Sequence, residues 1–234
     1  MKLFAIICTR DKKTLTPVTA RLIHTLSSYG VDVKILPSQK SIFEAYKKGI
    51  DSCDAQDTDI IIYCHDDIHI LNSKTHFLKV LSKCADSSTG VIGPAGTTLL
   101  GEDAIWWAHD KWTEGYHRGH VNHQPKSEKF NQEVEKTHYG PYGQVVALDG
   151  LFLAARKEVW DNIGLDKPSY FEGNWDFYDI HYTTKSHLLG YKNYAVDIHL
   201  IHHSFGELVG RDSWHKNREA FIKNTTLPME VKDG

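Results

Sequence analysis

Short apolar runs alternate with amphipathic stretches over the first 92 residues. Brief apolar runs bounded by polar residues predict buried strands, and apolar residues spaced four apart after a hydroxyl N-cap predict helices. The predicted order is strand 3–9, helix 16–30, strand 31–36, helix 41–53, strand 59–67, helix 73–84 and a strand from residue 91. This alternation predicts an α/β fold, a mostly parallel sheet with helices on both faces. The carboxyl ends of the strands then share one edge, where such sheets bind ligands.

The regular pattern stops between residues 93 and 143. This stretch contains Trp106, Trp107, Trp112 and Tyr116, so it is too aromatic for a disordered segment, yet it is too irregular for a long helix. A stretch of this kind is typical of a functional loop or a lid. Its aromatic rings are expected either to pack against the sheet or to close over a ligand.

Regularity returns after residue 143. The predicted elements are a strand over 145–155 interrupted by Asp149-Gly150, a helix over 156–163, a helix over 176–189, a strand over 194–201 and a helix from residue 212. The chain shows neither an internal repeat nor a linker. We therefore expect one domain over 1–234, with a first part (1–92), a loop or lid (93–143) and a last part (144–234).

Net charge, apolar run length and cysteine count indicate which binding partners and which cellular compartment to expect. The 27 basic and 30 acidic side chains give a net charge of -3 without a basic stripe, which argues against nucleic-acid binding. The apolar runs are too short for a membrane span. Four cysteines without a CxxC pair favour a reducing, cytoplasmic compartment.

Two adjacent carboxylates, Asp66 and Asp67, close the third strand. Neighbouring like charges repel, and burying them is costly unless a cation compensates. Oxygen ligands in this position suit a hard cation such as Mg²⁺ or Mn²⁺. A solvated turn is the alternative interpretation, because aspartate is common in turns.

A histidine pair, His202-His203, ends the strand over 194–201. Successive strand residues point to opposite faces, so at most one of the two shares a site with other strand ends. His203 is favoured because it lies on the face of Ile201 and the chain must turn at Gly206, and His202 is the alternative.

Two further segments carry acidic residues in positions that suit catalysis. Asp176 and Asp179 lie three apart on one face of a predicted helix, where they either complement the helix dipole or act as a general base. Gly150 interrupts an apolar strand, which indicates a bulge or a close approach of the backbone to a ligand. The adjacent Asp149 could accept hydrogen bonds from ligand hydroxyls.

Three histidines, His117, His120 and His123, recur at intervals of three. This spacing matches no standard zinc finger and no cysteine is nearby. A polar loop is therefore favoured over a structural zinc site.

The order of the motifs resembles nucleotide-diphospho-sugar glycosyltransferases of the GT-A type, the family-2 enzymes and their relatives. Ser41–Gly49 resembles the family's S-l-x-x-A-Y-N-x-G stretch, and Ile61–Ile68 resembles v-f-l-H-x-D-v. The other shared motifs are Ile6–Thr9, Gly93–Gly96, Trp106-Trp107, Leu148–Gly150, Phe171-Glu172, Tyr178–Ile180, Gly190-Tyr191 and His202–Ser204. The resemblance extends over residues 3–206.

The resemblance implies a Rossmann-like GT-A fold that binds a nucleotide-sugar, usually a UDP-sugar, and an acceptor of unknown identity. Residues 1–92 would bind the donor and residues 144–234 would bind the acceptor. The cofactor implied is Mn²⁺ or Mg²⁺, held by Asp67 with His203 or His202. The donor contacts implied are Thr9, Arg10, Ser38, Tyr46, Lys47, Asp66 and Gly150, with Trp106 and Trp107 stacking on the sugar.

The chemistry implied is one in-line displacement with inversion at the sugar carbon. Asp179 would deprotonate the acceptor hydroxyl, with Asp176 as the second choice, and Asp149 would contact the donor sugar or the acceptor. The metal would neutralise charge on the leaving diphosphate.

Four positions depart from the family pattern. His65 replaces the first carboxylate of Asp-x-Asp, Tyr178 replaces the glutamate before the base, Lys47 replaces an asparagine, and His181 stands where a second aspartate is frequent. Two other functions therefore stay open. One is a non-catalytic nucleotide-sugar-binding module, and the other is a metal-dependent hydrolase or nucleotidyltransferase built from Asp66, Asp67, His199 and His203.

Overall fold

The computed structural model describes residues 1–9, 15–108, 113–124, 135–203 and 211–231. Its strands are β1 (Leu3–Thr9), β2 (Asp32–Pro37), β3 (Ile60–Cys64), β4 (Ile68–Ile70), β5 (Thr89–Gly93), β6 (Ala95–Thr97), β7 (Leu99–Leu100), β8 (His117–His123), β9 (Glu135–Gly140), β10 (Gly143–Val145), β11 (Ala147–Leu148), β12 (Phe152–Arg156), β13 (Lys192–Ala195), β14 (Leu200–His202) and β15 (Met229–Glu230). Its helices are α1 (Pro17–Ser28), α2 (Ile42–Asp51), α3 (Lys74–Leu81), α4 (Lys157–Ile163), α5 (Tyr178–Leu188) and α6 (Asp212–Asn224), with a 3₁₀ helix at Ser82–Ala85. No helix within these ranges is both long and apolar enough to cross a bilayer.

Hydroxyl side chains open the first three helices. The side-chain oxygens of Thr16, Ser41 and Ser73 each accept a hydrogen bond from the backbone N–H three residues later, at 3.1, 3.5 and 3.3 Å. Each satisfies one of the N–H groups that a first helical turn leaves unpaired. The three predicted N-caps are confirmed.

The larger sheet has seven strands in the order β10-β13-β5-β12-β3-β1-β2. Strands β2, β1 and β3 are parallel, as are β5 and β13, whereas β12 is antiparallel to both neighbours and β10 is antiparallel to β13. The α/β class is confirmed, with helices packed on the sheet, but the sheet is mixed rather than mostly parallel. Strand β12 is buried along its length, and a fully buried strand shows the same apolar run in either direction.

A second sheet occupies much of the stretch that was predicted to be irregular. Its order is β11-β6-β8-β14-β4, with β9 paired to β8, and a two-stranded sheet joins β7 to β15. The prediction of irregular structure is therefore wrong for β6, β7, β8 and β9. The β8 sequence, His-Arg-Gly-His-Val-Asn-His, contains a single aliphatic side chain, so no apolar alternation marks it as a strand.

An aromatic stack fills the core beneath the carboxyl end of β3. Tyr46 stacks on Tyr63 with ring centroids 4.1 Å apart, and Tyr63 meets Trp160 edge-on at 4.8 Å. All three side chains are buried. On the other side Tyr46 contacts Tyr178 edge-on at 5.7 Å, which links the core to the start of α5.

Candidate active site

The turn His65–Asp67 lies where the two main sheets meet. It follows β3 of the larger sheet and leads into β4, the edge strand of the smaller sheet. Strand β14 pairs antiparallel with β4 and places His202 opposite Ile68. Side chains from the ends of three strands therefore converge at this junction.

His65, Asp67 and His202 form a compact cluster in this turn. Asp67 Oδ1 is 3.5 Å from His202 Nε2 and 3.8 Å from His65 Nδ1. One ligand atom from each residue lies within 4.8 Å of the others, the spacing of a site that could hold a metal ion. The side chains of His65, Asp67 and His202 are 31%, 19% and 9% exposed, so the cluster is partly open to solvent on the side of His65.

Tyr178, at the start of α5, lies within hydrogen-bond distance of His65. Its hydroxyl donates to Gly150 O at 3.2 Å and contacts His65 Nε2 at 2.7 Å. When the hydroxyl proton is donated to Gly150 O, the phenol oxygen accepts from His65 Nε2–H. Burial raises the pKa of Tyr178 well above its ordinary value, so it stays a neutral phenol. The His65 Nδ1 lone pair is then left facing Asp67.

Asp179 is held beside the same network. Its Oδ2 accepts from Gly150 N at 3.1 Å, and Asp149 Oδ1 accepts from Leu151 N at 2.9 Å. Burial, and next the charge of Asp149, raise the pKa of Asp179 to about 7. A carboxyl group that titrates near neutrality is suited to general base catalysis.

The backbone at Phe177 and Gly150 positions the Tyr178 side chain. Phe177, directly before Tyr178, adopts a left-handed conformation with φ 67° although it is large and buried. Such strain is uncommon and clusters at functional sites. A Cβ at Gly150 would collide with the Tyr178 hydroxyl. The close backbone approach predicted at this glycine is therefore an approach to the Tyr178 side chain.

Residues 4–224 match the model of a family described as a glycosyltransferase-like family. The chain belongs to the glycosyltransferase-like family. This match confirms the resemblance and identifies the protein as a glycosyltransferase-like enzyme. No curated protein matches the sequence.

Two solved structures are similar to this glycosyltransferase-like chain. The crystal structure of GalNAc-T7 with UDP, GalNAc and Mn²⁺ is 12% identical with a TM-score of 0.59, and the alignment covers 94% of this chain and 47% of that one. The crystal structure of A197 from STIV is 14% identical with a TM-score of 0.48, over 84% of this chain and 82% of that one. The first likeness shows the GT-A fold, although this chain spans about half the length of GalNAc-T7.

The glycosyltransferase-like chain brings part of the predicted donor site to the same sheet edge. Thr9 ends β1 beside β3, and Thr9 O accepts from Ser38 N at 2.8 Å. Asp66 lies in the adjacent turn, where its carbonyl oxygen accepts from the Thr19 hydroxyl at 2.9 Å. Arg10 lies outside the described residues.

Other predicted donor residues lie elsewhere. Tyr46 is 1% exposed and Trp106 is 2% exposed, and both are packed in the core. Lys47 lies on the exposed side of α2 with its Nζ 3.7 Å from Asp166. Trp107 is half-buried against Trp106 and Trp214.

The second-choice base and two predicted histidines are not members of the His65–Asp67–His202 cluster. Asp176 is buried against α6, where Ser213 Oγ donates to its Oδ2 at 2.6 Å. His203 contributes a backbone N–H to Asp67 O at 2.8 Å, and the ring that reaches Asp67 is that of His202. The His199 ring is half-exposed and contacts Asp197 at 2.5 Å.

The three histidines at intervals of three lie on strand β8 rather than in a loop. His117 and His123 share one face of the strand, and His120 points to the other. His117 is buried and its Nε2 contacts Trp106 O at 2.5 Å. Strand geometry therefore keeps the three from sharing one metal.

Sequence reasoning missed His65 as part of the cluster and treated it as a departure from Asp-x-Asp. The predicted strand over 59–67 contained a signal, because residues 65 and 67 of an extended strand would point to the same side. Tyr178 carried no such signal, since its contact with His65 joins positions 113 residues apart.

Proposed function

We propose that the protein transfers a sugar from a nucleotide-diphosphate donor, a UDP-sugar, to an acceptor hydroxyl, with inversion at the sugar carbon. The observation that carries this proposal is a chain of hydrogen bonds that runs from the His65–Asp67–His202 cluster through Tyr178 and Gly150 to Asp179. This chain connects the residues that would hold a metal at the leaving diphosphate to the carboxylate that would deprotonate the acceptor. The similar GalNAc-T7 structure contains UDP and Mn²⁺.

The cluster fits a divalent cation chemically. His65 Nδ1 and Asp67 Oδ1 both present lone pairs across 3.8 Å, an arrangement that a cation between them would relieve. His202 Nε2 lies 3.5 Å from the same Asp67 oxygen, so it presents a second imidazole nitrogen to that position. Burial lowers the pKa of His65 despite the opposing charge of Asp67, which keeps the imidazole neutral as ligation requires.

The donor set favours Mn²⁺ over Mg²⁺. Mg²⁺ prefers oxygen ligands, whereas two imidazole nitrogens and one carboxylate suit a transition metal better. When bound, the cation would neutralise negative charge on the leaving diphosphate. His65, Asp67 and His202 would hold it, and Tyr178 would keep His65 in the ligating tautomer.

Asp179 would take the proton from the acceptor hydroxyl. The Gly150 N–H holds one carboxylate oxygen, and the raised pKa makes the group basic enough to accept a proton near neutrality. Asp149 beside it would contact the donor sugar or the acceptor. Thr9, Ser38 and Asp66 line the edge where the base and ribose would bind.

Thermal shift with UDP tests the donor class directly. We expect UDP with Mn²⁺ to raise the melting temperature and UDP with Mg²⁺ to raise it less, because a ligand at 100 times its Kd stabilises the folded state by about 2.7 kcal/mol. UDP release from UDP-sugars is then measured with a panel of acceptors.

The outcomes separate the three candidate functions. Acceptor-dependent UDP release supports transfer. Tight UDP binding without turnover would instead support a non-catalytic binding module, and nucleotide exchange with no acceptor would support a nucleotidyltransferase or hydrolase. The absence of any shift with UDP, GDP and TDP would contradict the donor assignment.

Tyr178→Phe tests the tautomer assignment. The variant leaves His65 Nε2–H without its acceptor, and we expect a 10- to 100-fold loss of Mn²⁺ affinity, the usual effect of removing a partner of a metal-bound histidine. Titration of Mn²⁺ followed by electron paramagnetic resonance measures this. Tyr182→Phe is the matched control, because Tyr182 is equally buried but donates to Leu165 O. Equal affinities for the two variants would contradict the assignment.

A further inference from the structure

Asn72 lies just after β4, which follows Asp67, and it joins this strand to the segment before β14, which carries His202. It is 8% exposed, and its side-chain Nδ2 donates to Asp197 O at 3.0 Å while its Oδ1 accepts from His199 N at 2.8 Å. Its own carbonyl oxygen accepts from the Tyr29 hydroxyl of the segment after α1 at 2.5 Å. One amide side chain thus ties the end of β4 to the segment that enters β14.

The pairing of β4 with β14 decides which residue meets Asp67. His202 is opposite Ile68, and the ladder is extended at one end by His203 N to Asp67 O and at the other by Leu71 N to His199 O, both at 2.8 Å. A slip of one residue would exchange the faces of the β14 side chains. The imidazole beside Asp67 would then be replaced.

The strand ladder alone specifies this register weakly. Strands β4 and β14 have three residues each, and β4 is an edge strand. On its other side β14 pairs with β8 over only two residues. Short strands with few paired residues depend on other contacts to hold their register, and Asn72 supplies two such contacts in adjacent chain.

We propose that Asn72 is a positioning residue that fixes the register of β4 against β14 and so holds His202 at Asp67. Asn72 does not contact the cluster; it acts through the backbone at residues 197 and 199. The inference rests on the proposed metal centre for its effect on binding, but the register itself can be measured without metal.

The experiment compares Asn72→Ala with Asn193→Ala. Asn193 is also buried and bridges backbone groups, at Val91, Val146 and Thr183, but it lies on β13 of the larger sheet and bonds neither β4 nor β14. We expect both variants to melt at lower temperature. Mn²⁺ affinity should fall tenfold or more in Asn72→Ala and stay within twofold of wild type in Asn193→Ala.

Hydrogen exchange of the His203 and Leu71 amides in metal-free protein gives the second readout, because both amides extend the β4–β14 ladder and neither bonds Asn72. We expect faster exchange in Asn72→Ala but not in Asn193→Ala. Asn72→Ser keeps a polar side chain that is too short to bridge Asp197 O and His199 N, so it should also speed exchange, and it replaces the alanine variant where that does not fold.

Unchanged exchange at both amides in the Asn72 variants overturns the proposal, as does an equal loss of Mn²⁺ affinity in the Asn72 and Asn193 variants. Wild-type protein that binds no Mn²⁺ would contradict the proposed metal centre instead. The exchange data would then decide the role of Asn72 by themselves.

Discussion

Asp67→Asn should abolish both sugar transfer and Mn²⁺ binding in a protein that remains folded. Asp67 Oδ1 is the atom that lies near both imidazoles, so the amide removes the charge on which the proposed centre depends. Losing about 4 kcal/mol of charge stabilisation at the leaving diphosphate corresponds to about a 1000-fold lower kcat. UDP release measures kcat, calorimetry measures Mn²⁺ binding, and circular dichroism reports folding.

Glu172→Gln is the matched control for this variant. It removes one carboxylate charge that is exposed and paired with Lys216, and we expect wild-type transfer and metal binding. Transfer that continues in Asp67→Asn, or in wild-type protein after chelation with EDTA, would contradict the metal-dependent mechanism.

Asp179→Asn should lower kcat by a factor of about 100 to 10,000, the usual contribution of a general base. The amide cannot accept the acceptor's proton, but its oxygen can still accept from Gly150 N. We therefore expect UDP and Mn²⁺ affinities close to those of wild type. Asp176→Asn is the informative control, because that carboxylate is held by Ser213 against α6 and should influence stability rather than transfer. The reverse result would make Asp176 the base.

The pH dependence of transfer tests the same assignment. Below a pKa of about 7 Asp179 is protonated and cannot take a proton, so kcat should fall with decreasing pH through that value. Asp149→Asn removes a negative charge that raises this pKa, so the acid limb should move to lower pH. An acid limb that stays in place in Asp149→Asn would contradict the assignment of that limb to Asp179.

Local signals in the chain predicted many of the elements correctly. Thr16, Ser41 and Ser73 mark helix starts because a hydroxyl N-cap acts on backbone groups only three residues away. The sheet edge at which the donor is proposed to bind was predicted from local signals too, because polar residues directly after an apolar run mark the carboxyl end of a buried strand. Strand β8 was missed because its polar sequence shows no alternation.

Neighbours along the chain are enough to specify the α/β class, the helix caps and the position of Asp67 shortly after a buried strand. The folded chain was needed to show that the ring beside Asp67 is that of His202 rather than His203, that Tyr178 contacts His65, and that Asp176 faces α6. These outcomes depend on the pairing of distant strands and on hydrogen bonds between segments more than 30 residues apart. A periodic pattern within one segment contains no information about either.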